Sequence, residues 1–254
     1  MTQELKFIDM IIVGNWKMNK DVKESNHFLD SFFLNMKWYK QNNLKLFLSP
    51  TFPLVNNIKN KILEKKNYFE LGLCAQNCHN KNFGSHTGEV SAKILKSVGF
   101  SAVIIGHSER RKHFNETNEI LLEKILRCFE NNLLPIFCVG ETLAEREKGD
   151  HYKIIENQIS ILKSFSNKNN LVVAYEPVWA IGSGKTPTNE EINDIHLFIK
   201  KNLPNTNVLY GGSLNEKNAK DILSISNVDG GLVGGASLDY SKFASIIKVA
   251  NEIC

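Results

Sequence analysis

Short, uninterrupted apolar runs alternate along this chain with longer stretches in which apolar positions recur three or four residues apart. The runs cover 10–13, 44–49, 71–75, 102–105, 135–139, 171–175, 207–210 and 228–233, and each reads as a strand. Two are stopped by proline, at Pro50 and Pro177, which cannot donate to a sheet ladder. Helical spacing follows each run, over 21–36, 54–66, 90–98, 116–131, 142–164, 188–201, 215–223 and 238–249. Val22, Phe28, Leu29, Phe32 and Phe33 mark the first helix. Gly149 is a break point in the fifth, and Thr188 with Glu191 is a capping box for the sixth. Because the strands are apolar throughout rather than alternating, the sheet they form is covered on both faces.

Strict strand-then-helix alternation implies parallel strands joined by right-handed crossovers, and eight such units close into a barrel. The expected class is therefore α/β, a closed (β/α)8 barrel of eight parallel strands with outer helices. One domain spans 1–254, with 1–9 a short N-terminal extension. A doubly wound open sheet is the alternative, but it prefers G-x-G-x-x-G after the first strand, and Gly14-Asn15-Trp16-Lys17 is a different turn.

Composition narrows the function. With 254 residues, 42% hydrophobic and 23% charged, the chain has enough apolar material for a large core. The net charge of +4 is spread over the helices, so neither nucleic acid nor membrane is an expected partner. Cys74, Cys78, Cys128, Cys138 and Cys254 are odd in number and lack zinc-site spacing, which suits a reducing compartment. The N-terminus, with Glu4, Asp9 and a single Lys, resembles no leader, so the expected location is cytoplasmic.

The active face of such a barrel lies at the C-terminal ends of its strands. Strand one ends with Asn15 and Lys17, strand four with His107 and Glu109, and strand six with Glu176. Strands seven and eight end in Gly212-Ser213 and Gly234-Gly235. Glycine pairs let backbone N–H groups approach a phosphate. Lys17 offers a point charge for an oxyanion, and His107 can polarise a carbonyl. Glu176 can take a proton from carbon. After Glu176 comes a mostly apolar loop, Pro177, Val178, Trp179, Ala180, Ile181, Gly182, Ser183, Gly184, Lys185 and Thr186, which reads as a lid. Together these groups suit proton abstraction beside a carbonyl on a small phosphorylated substrate. Glu141 reads as support for the lid's hinge, and Arg110 and Arg111 as scaffold. His27, His113, His151 and His196 read as surface or helix residues.

Residues 14–19 (GNWKMN), 106–111 (GHSERR), 174–187, 210–213 (YGGS) and 232–238 (LVGGASL) resemble, in order, the signature stretches of the triosephosphate isomerase family, whose fold is the TIM barrel. That resemblance implies interconversion of dihydroxyacetone phosphate and D-glyceraldehyde 3-phosphate through an enediolate, without cofactor or metal, in a homodimer. It implies Glu176 as base, His107 as electrophile, Lys17 and Asn15 as electrostatic partners of the substrate, and Glu109 as the carboxylate beside Lys17. Asn15, Lys17, Gly182, Ser213, Gly234 and Gly235 would bind substrate or its phosphate, and Ile181 with Leu232 would close over the base. Thr87, Gly88 and Glu89 would form the dimer loop, preceded by Gly84-Ser85-His86 where an aromatic residue is common at 86. Ser183 replaces a common Thr, and Gly231 a common Phe, whose absence is expected to loosen the phosphate loop. The alternatives are another phosphate-binding barrel enzyme, such as a Schiff-base aldolase needing a desolvated Lys, or a second, non-catalytic surface role.

Overall fold

In the computed structural model, residues 10–39, 43–65, 69–165, 171–181 and 186–254 are described. The expected extension, 1–9, and the lid residues Gly182, Ser183, Gly184 and Lys185 lie outside them. The strands are β1 (Met10–Asn15), β2 (Leu44–Ser49), β3 (Gly72–Ala75), β4 (Ala102–Ile105), β5 (Leu134–Val139), β6 (Val172–Tyr175), β7 (Asn207–Tyr210) and β8 (Gly230–Val233). They pair in chain order, all parallel, and β8 returns to β1 through Ile11↔Gly230 to Gly14↔Val233. The barrel is closed, as expected, which sets aside the open-sheet alternative.

Burial on both faces explains the unbroken apolar strands. Ile11, Val13, Ile104, Ile136, Ala174 and Leu209 point into the barrel and pack on one another. Their neighbours Ile12, Val103, Phe137, Val173 and Val208 point outward into a second layer beneath the helices. Helix α1 (Val22–Asn35) begins at an Asp21/Glu24 capping box and buries Phe28, Leu29, Phe32 and Phe33. Phe32 stacks on Phe243 of α10 (Tyr240–Ile253) with centroids 5.6 Å apart, so the first and last helices close the outer ring over β1.

The other helices are α2 (Val55–Glu64), α3 (Ala92–Val98), α4 (Ser108–Phe114), α5 (Asn118–Glu130), α6 (Leu143–Glu147), α7 (His151–Ser160), α8 (Asn189–Asn202) and α9 (Ala219–Leu223). The stretch 142–164 is two helices, broken where expected: Gly149 turns left-handed at φ 77°, and Gly149 and Asp150 donate back to Arg146 and Glu145. Two helices differ from the sequence expectation. α4 has no buried side chain and so leaves no apolar periodicity to read. α9 starts four residues late because Asn215 and Asn218 spend 215–218 on side-chain-to-backbone turns. α8 starts at the expected Thr188/Glu191 capping box.

Candidate active site

The strand ends bring Asn15, Lys17, His107, Glu176, Ser213, Gly234 and Gly235 to one cavity of about 390 Å³. Lys17 stands in the left-handed region at φ 52°, a conformation that costs a non-glycine residue about 1–3 kcal/mol. Its surroundings enforce it. The Lys17 N–H donates to Asn15 Oδ1 at 3.0 Å, and Gln76 Nε2 donates to Lys17 O at 2.8 Å and to Ser49 O at 3.0 Å. Lys17 Nζ then meets Glu109 Oε1 at 2.6 Å. Burial pushes the Glu109 carboxyl up, but the hydrogen bond and the charge of Lys17 outweigh it and hold the group below the usual carboxylate range.

His107 caps α4: its Nδ1 accepts the Glu109 backbone N–H at 3.2 Å. An Nδ1 that accepts carries no proton, so the neutral ring keeps its hydrogen on Nε2. That Nε2 lies 3.1 Å from Glu176 Oε1, while Ser108 N donates to Glu176 Oε2 at 3.0 Å. Both oxygens of this buried carboxylate are therefore engaged at the first turn of α4. Gly211 leaves it space, since a Cβ there would lie 2.8 Å from Glu176 Cγ. Cys138, inside the barrel, has its thiol pushed up by burial and by the Glu176 charge, which keeps it protonated.

At the other end of the cavity, Gly235 faces open space and Gly234 lies beside Lys17. Ser213 Oγ donates to Ala180 O, tying the turn after β7 to the start of the lid. Ile181 and Leu232 line the same cavity, as the expected apolar pair. The room left by Gly231 is not empty: a Cβ there would lie 2.4 Å from Leu214 Cδ2. Leu214 occupies that space, so the loosening expected from Gly231 has a compensation the sequence reading missed.

The described part of the lid is anchored on Glu141. Val178 N donates to Glu141 O at 3.0 Å, and Glu141 Oε1 accepts from Tyr175 Oη at 3.1 Å, Trp179 Nε1 at 3.0 Å and Arg146 Nη1 at 3.4 Å. Residues Val178–Ala180 form one 3₁₀ turn after Pro177, and Thr186 resumes the chain beyond the undescribed stretch. The buried Tyr210 hydroxyl has no hydrogen-bond partner among the described residues. Arg111 is scaffold, donating to the Gly106 and Cys138 carbonyls, and Arg110 pairs with Glu116 at 2.6 Å. His196 is in a helix, as expected, but fully buried against Tyr175.

The loop after β3 carries Thr87, Gly88 and Glu89 at the surface. In the same loop the His86 ring packs on the His79 ring with centroids 4.2 Å apart. A second cavity, of about 350 Å³, adjoins the first across Asn15, Lys17 and His107, takes in Glu109, and is rimmed by the exposed Met18, Phe52 and Phe114. Among the described residues there is no group of three or more His, Cys, Asp or Glu side chains arranged to hold a metal ion, and no helix long and apolar enough to cross a membrane.

The family model described as Triosephosphate isomerase matches residues 10–250. Three curated relatives bear the same description. That of Thermodesulfovibrio yellowstonii is 43% identical over 246 residues, 93% of this chain and 98% of its own length. That of Mesomycoplasma hyopneumoniae strain 232 is 43% identical over 244 residues, again 93% and 98%. That of Porphyromonas gingivalis strain W83 is 40% identical over 250 residues, 94% and 98%.

Proposed function

The chain belongs to the triosephosphate isomerase family, and from that membership we propose how its own side chains carry the reaction. The enzyme is an isomerase that interconverts dihydroxyacetone phosphate and D-glyceraldehyde 3-phosphate, a step of glycolysis. One observation supports the residue assignment above the others: a lone buried carboxylate and an Nε2–H imidazole, 3.1 Å apart, share a cavity with Lys17 at one flank and side-chain-free backbone at its far end.

The phosphate dianion lies against Ser213, Gly234, Gly235 and the lid's Gly182, where amide hydrogens and a hydroxyl can meet it. The carbonyl and hydroxyl oxygens of the triose then face His107 Nε2 and the Lys17 ammonium, with Asn15 beside them. Glu176 leaves Ser108 and takes the proton from the carbon next to the carbonyl. Negative charge moves to the carbonyl oxygen, where the His107 N–H and Lys17 stabilise it. His107 gives its Nε2 proton to that oxygen and takes the proton of the neighbouring hydroxyl. Glu176 returns its proton to the other carbon, so every group ends as it began. The intermediate enediolate can expel phosphate into water, and the lid 177–186, with Ile181 over Leu232, holds it dry.

The functional unit is a homodimer, in which the Thr87-Gly88-Glu89 tip of one copy enters the apolar-rimmed cavity beside Lys17 and Glu109 of the other. The exposed Met18, Phe52 and Phe114 around that cavity support this. A cytoplasmic location fits the buried thiols of Cys74, Cys78, Cys128 and Cys138. The test is Glu176→Asp in a coupled assay with D-glyceraldehyde 3-phosphate and no added metal. Withdrawing the carboxylate by roughly 1 Å lowers turnover about a hundredfold while substrate binding persists. Near-normal turnover would remove Glu176 from the role of base.

A further inference from the structure

Beneath the phosphate end of the cavity a leucine fills the place of a missing side chain. Leu214 closes the turn after β7, its N–H donating to Gly212 O at 2.8 Å around Ser213. Its buried side chain joins Ile12, Tyr210 and Val233 in the apolar layer outside the strands. Gly231 lies below it in β8, paired with Ile12 on one side and Tyr210 on the other. A Cβ on Gly231 would meet Leu214 Cδ2 at 2.4 Å before anything else, with Ile12 Cδ1 next at 3.8 Å. On the other side of the turn Asn218 is a polar clamp: its Nδ2 donates to Ser213 O at 2.8 Å and its Oδ1 accepts from Asn215 N at 2.8 Å. Ser213 is thus held between an apolar peg and a polar clip. The peg is seated in the same strand that, three residues on, releases Gly234 and Gly235.

We propose that Leu214 is a positioning residue for phosphate recognition: seated on the bare face of Gly231, it fixes the Ser213 turn against the Gly234-Gly235 loop at the spacing of one phosphate group. Leu214 also lines the wall of the cavity, and it acts on the phosphate through those two segments. The inference deepens the proposed function and rests on its placement of the phosphate. It also accounts for the pairing of Leu at 214 with Gly at 231. Interiors are close-packed, so a volume lost on the strand has to be supplied from the turn, and only one of the two positions can carry it.

The test measures KM, kcat and competitive inhibition by inorganic phosphate for Leu214→Ala, Gly231→Ala and the double variant. Leu214→Ala removes the peg, and KM and the phosphate inhibition constant both rise about tenfold while kcat falls by a smaller factor. Gly231→Ala displaces the peg by adding atoms, and shifts the same two constants in the same direction. The double variant restores volume from the opposite side and recovers part of both losses, a non-additivity that two independent packing defects do not produce. Leu214→Val gives a smaller shift of the same sign and serves if the alanine variant fails to fold. Kinetic constants and phosphate inhibition unchanged in Leu214→Ala or Leu214→Val, with only the melting temperature lowered, would reduce Leu214 to a core residue and overturn the proposal. Ser213→Ala separates the premise: if it too leaves phosphate inhibition unchanged, the phosphate lies elsewhere and the reading of the site fails first.

Discussion

Replacing Glu141 by Ala and, separately, by Gln probes how the lid is hinged. The side chain is fully buried, and one oxygen, Oε1, accepts from Tyr175, Trp179 and Arg146. Removing it strands the Tyr175 hydroxyl in the core, and an unsatisfied buried donor costs about 1–3 kcal/mol. Arg146 retains Glu191 at 2.8 Å and loses less, and the Trp179 indole is only partly buried. With the space vacated by the side chain, the loss in Glu141→Ala comes to about 2–4 kcal/mol. For a chain of this size that is a fall of roughly 5–15 °C in melting temperature. Gln keeps a carbonyl oxygen in reach of Tyr175 and Trp179, so Glu141→Gln loses less than about 1.5 kcal/mol. Because Trp179 stands in the turn that opens the lid, the alanine variant also changes kcat and KM together, as hinge changes do. Thermal melts and steady-state kinetics on the same preparations check both halves. A melting point within about 2 °C of the parent would mean that Glu141 does not hold these donors. A lowered melting point with unchanged kinetic constants would mean that the carboxylate supports the core and not the hinge.

Lys17→Ala raises KM and lowers kcat, with a combined loss on the order of a hundredfold or more in kcat/KM, because the charge it supplies faces both the bound substrate and the developing oxyanion; unchanged kinetics would reject that assignment. His196 gives the pH dependence of stability. Burial, aided by Lys200 and opposed by the Asn227 carbonyl, lowers its folded pKa to about 3, so the unfolded chain binds the proton first. Stability is intact above the unfolded value of about 6.5 and falls by about 1.4 kcal/mol per pH unit below it, down toward 3. Urea unfolding at pH 7.5 and 5.5 should show a drop that His196→Gln lacks, and equal drops in both proteins would refute it. In sedimentation at micromolar concentration the protein runs as a dimer; an active monomer there would sink the assignment of the Thr87-Gly88-Glu89 loop.

The sequence makes legible whatever repeats or stands alone. Eight apolar runs of strand length, each followed by helical spacing, leave little choice but a closed parallel sheet, and every strand lies within a residue or two of its expected place. Asn15, Lys17, His107, Glu176 and Ser213 stood out because polar side chains at the ends of apolar strands have no packing reason to be there, and Gly234 because it belongs to a glycine pair at such an end. The missed features are relations rather than residues. Ser108 holds Glu176 through its backbone N–H, which every residue but proline carries. Gly231 looks like a loss until Leu214 is seen in its place. α4 buries nothing and therefore has no apolar rhythm. Gln76 fixes Lys17 from fifty-nine residues away, through two carbonyls that no side-chain pattern records.

The position of Glu176 makes sense of the lid. Its two oxygens are held by Ser108 N–H and His107 Nε2, so the proposed base and the proposed electrophile engage each other. Catalysis has to break that contact, and the site offers one source of work to do it. Pro177 follows Glu176 directly, so a lid movement that turns this fixed ring would shift the carboxylate with it. The lid is in turn bonded to the phosphate end through Ser213 and Ala180 O, and Ser213 is held in place by Leu214 and Asn218. Binding energy won at the phosphate, the part of the substrate that does not react, can thus be spent on freeing the base at the part that does. A substrate stripped of its phosphate would then lose turnover as well as affinity: D-glyceraldehyde at saturating concentration should react far more slowly than its phosphate ester. Equal turnover numbers for the two would show that the carboxylate is released by something other than the lid.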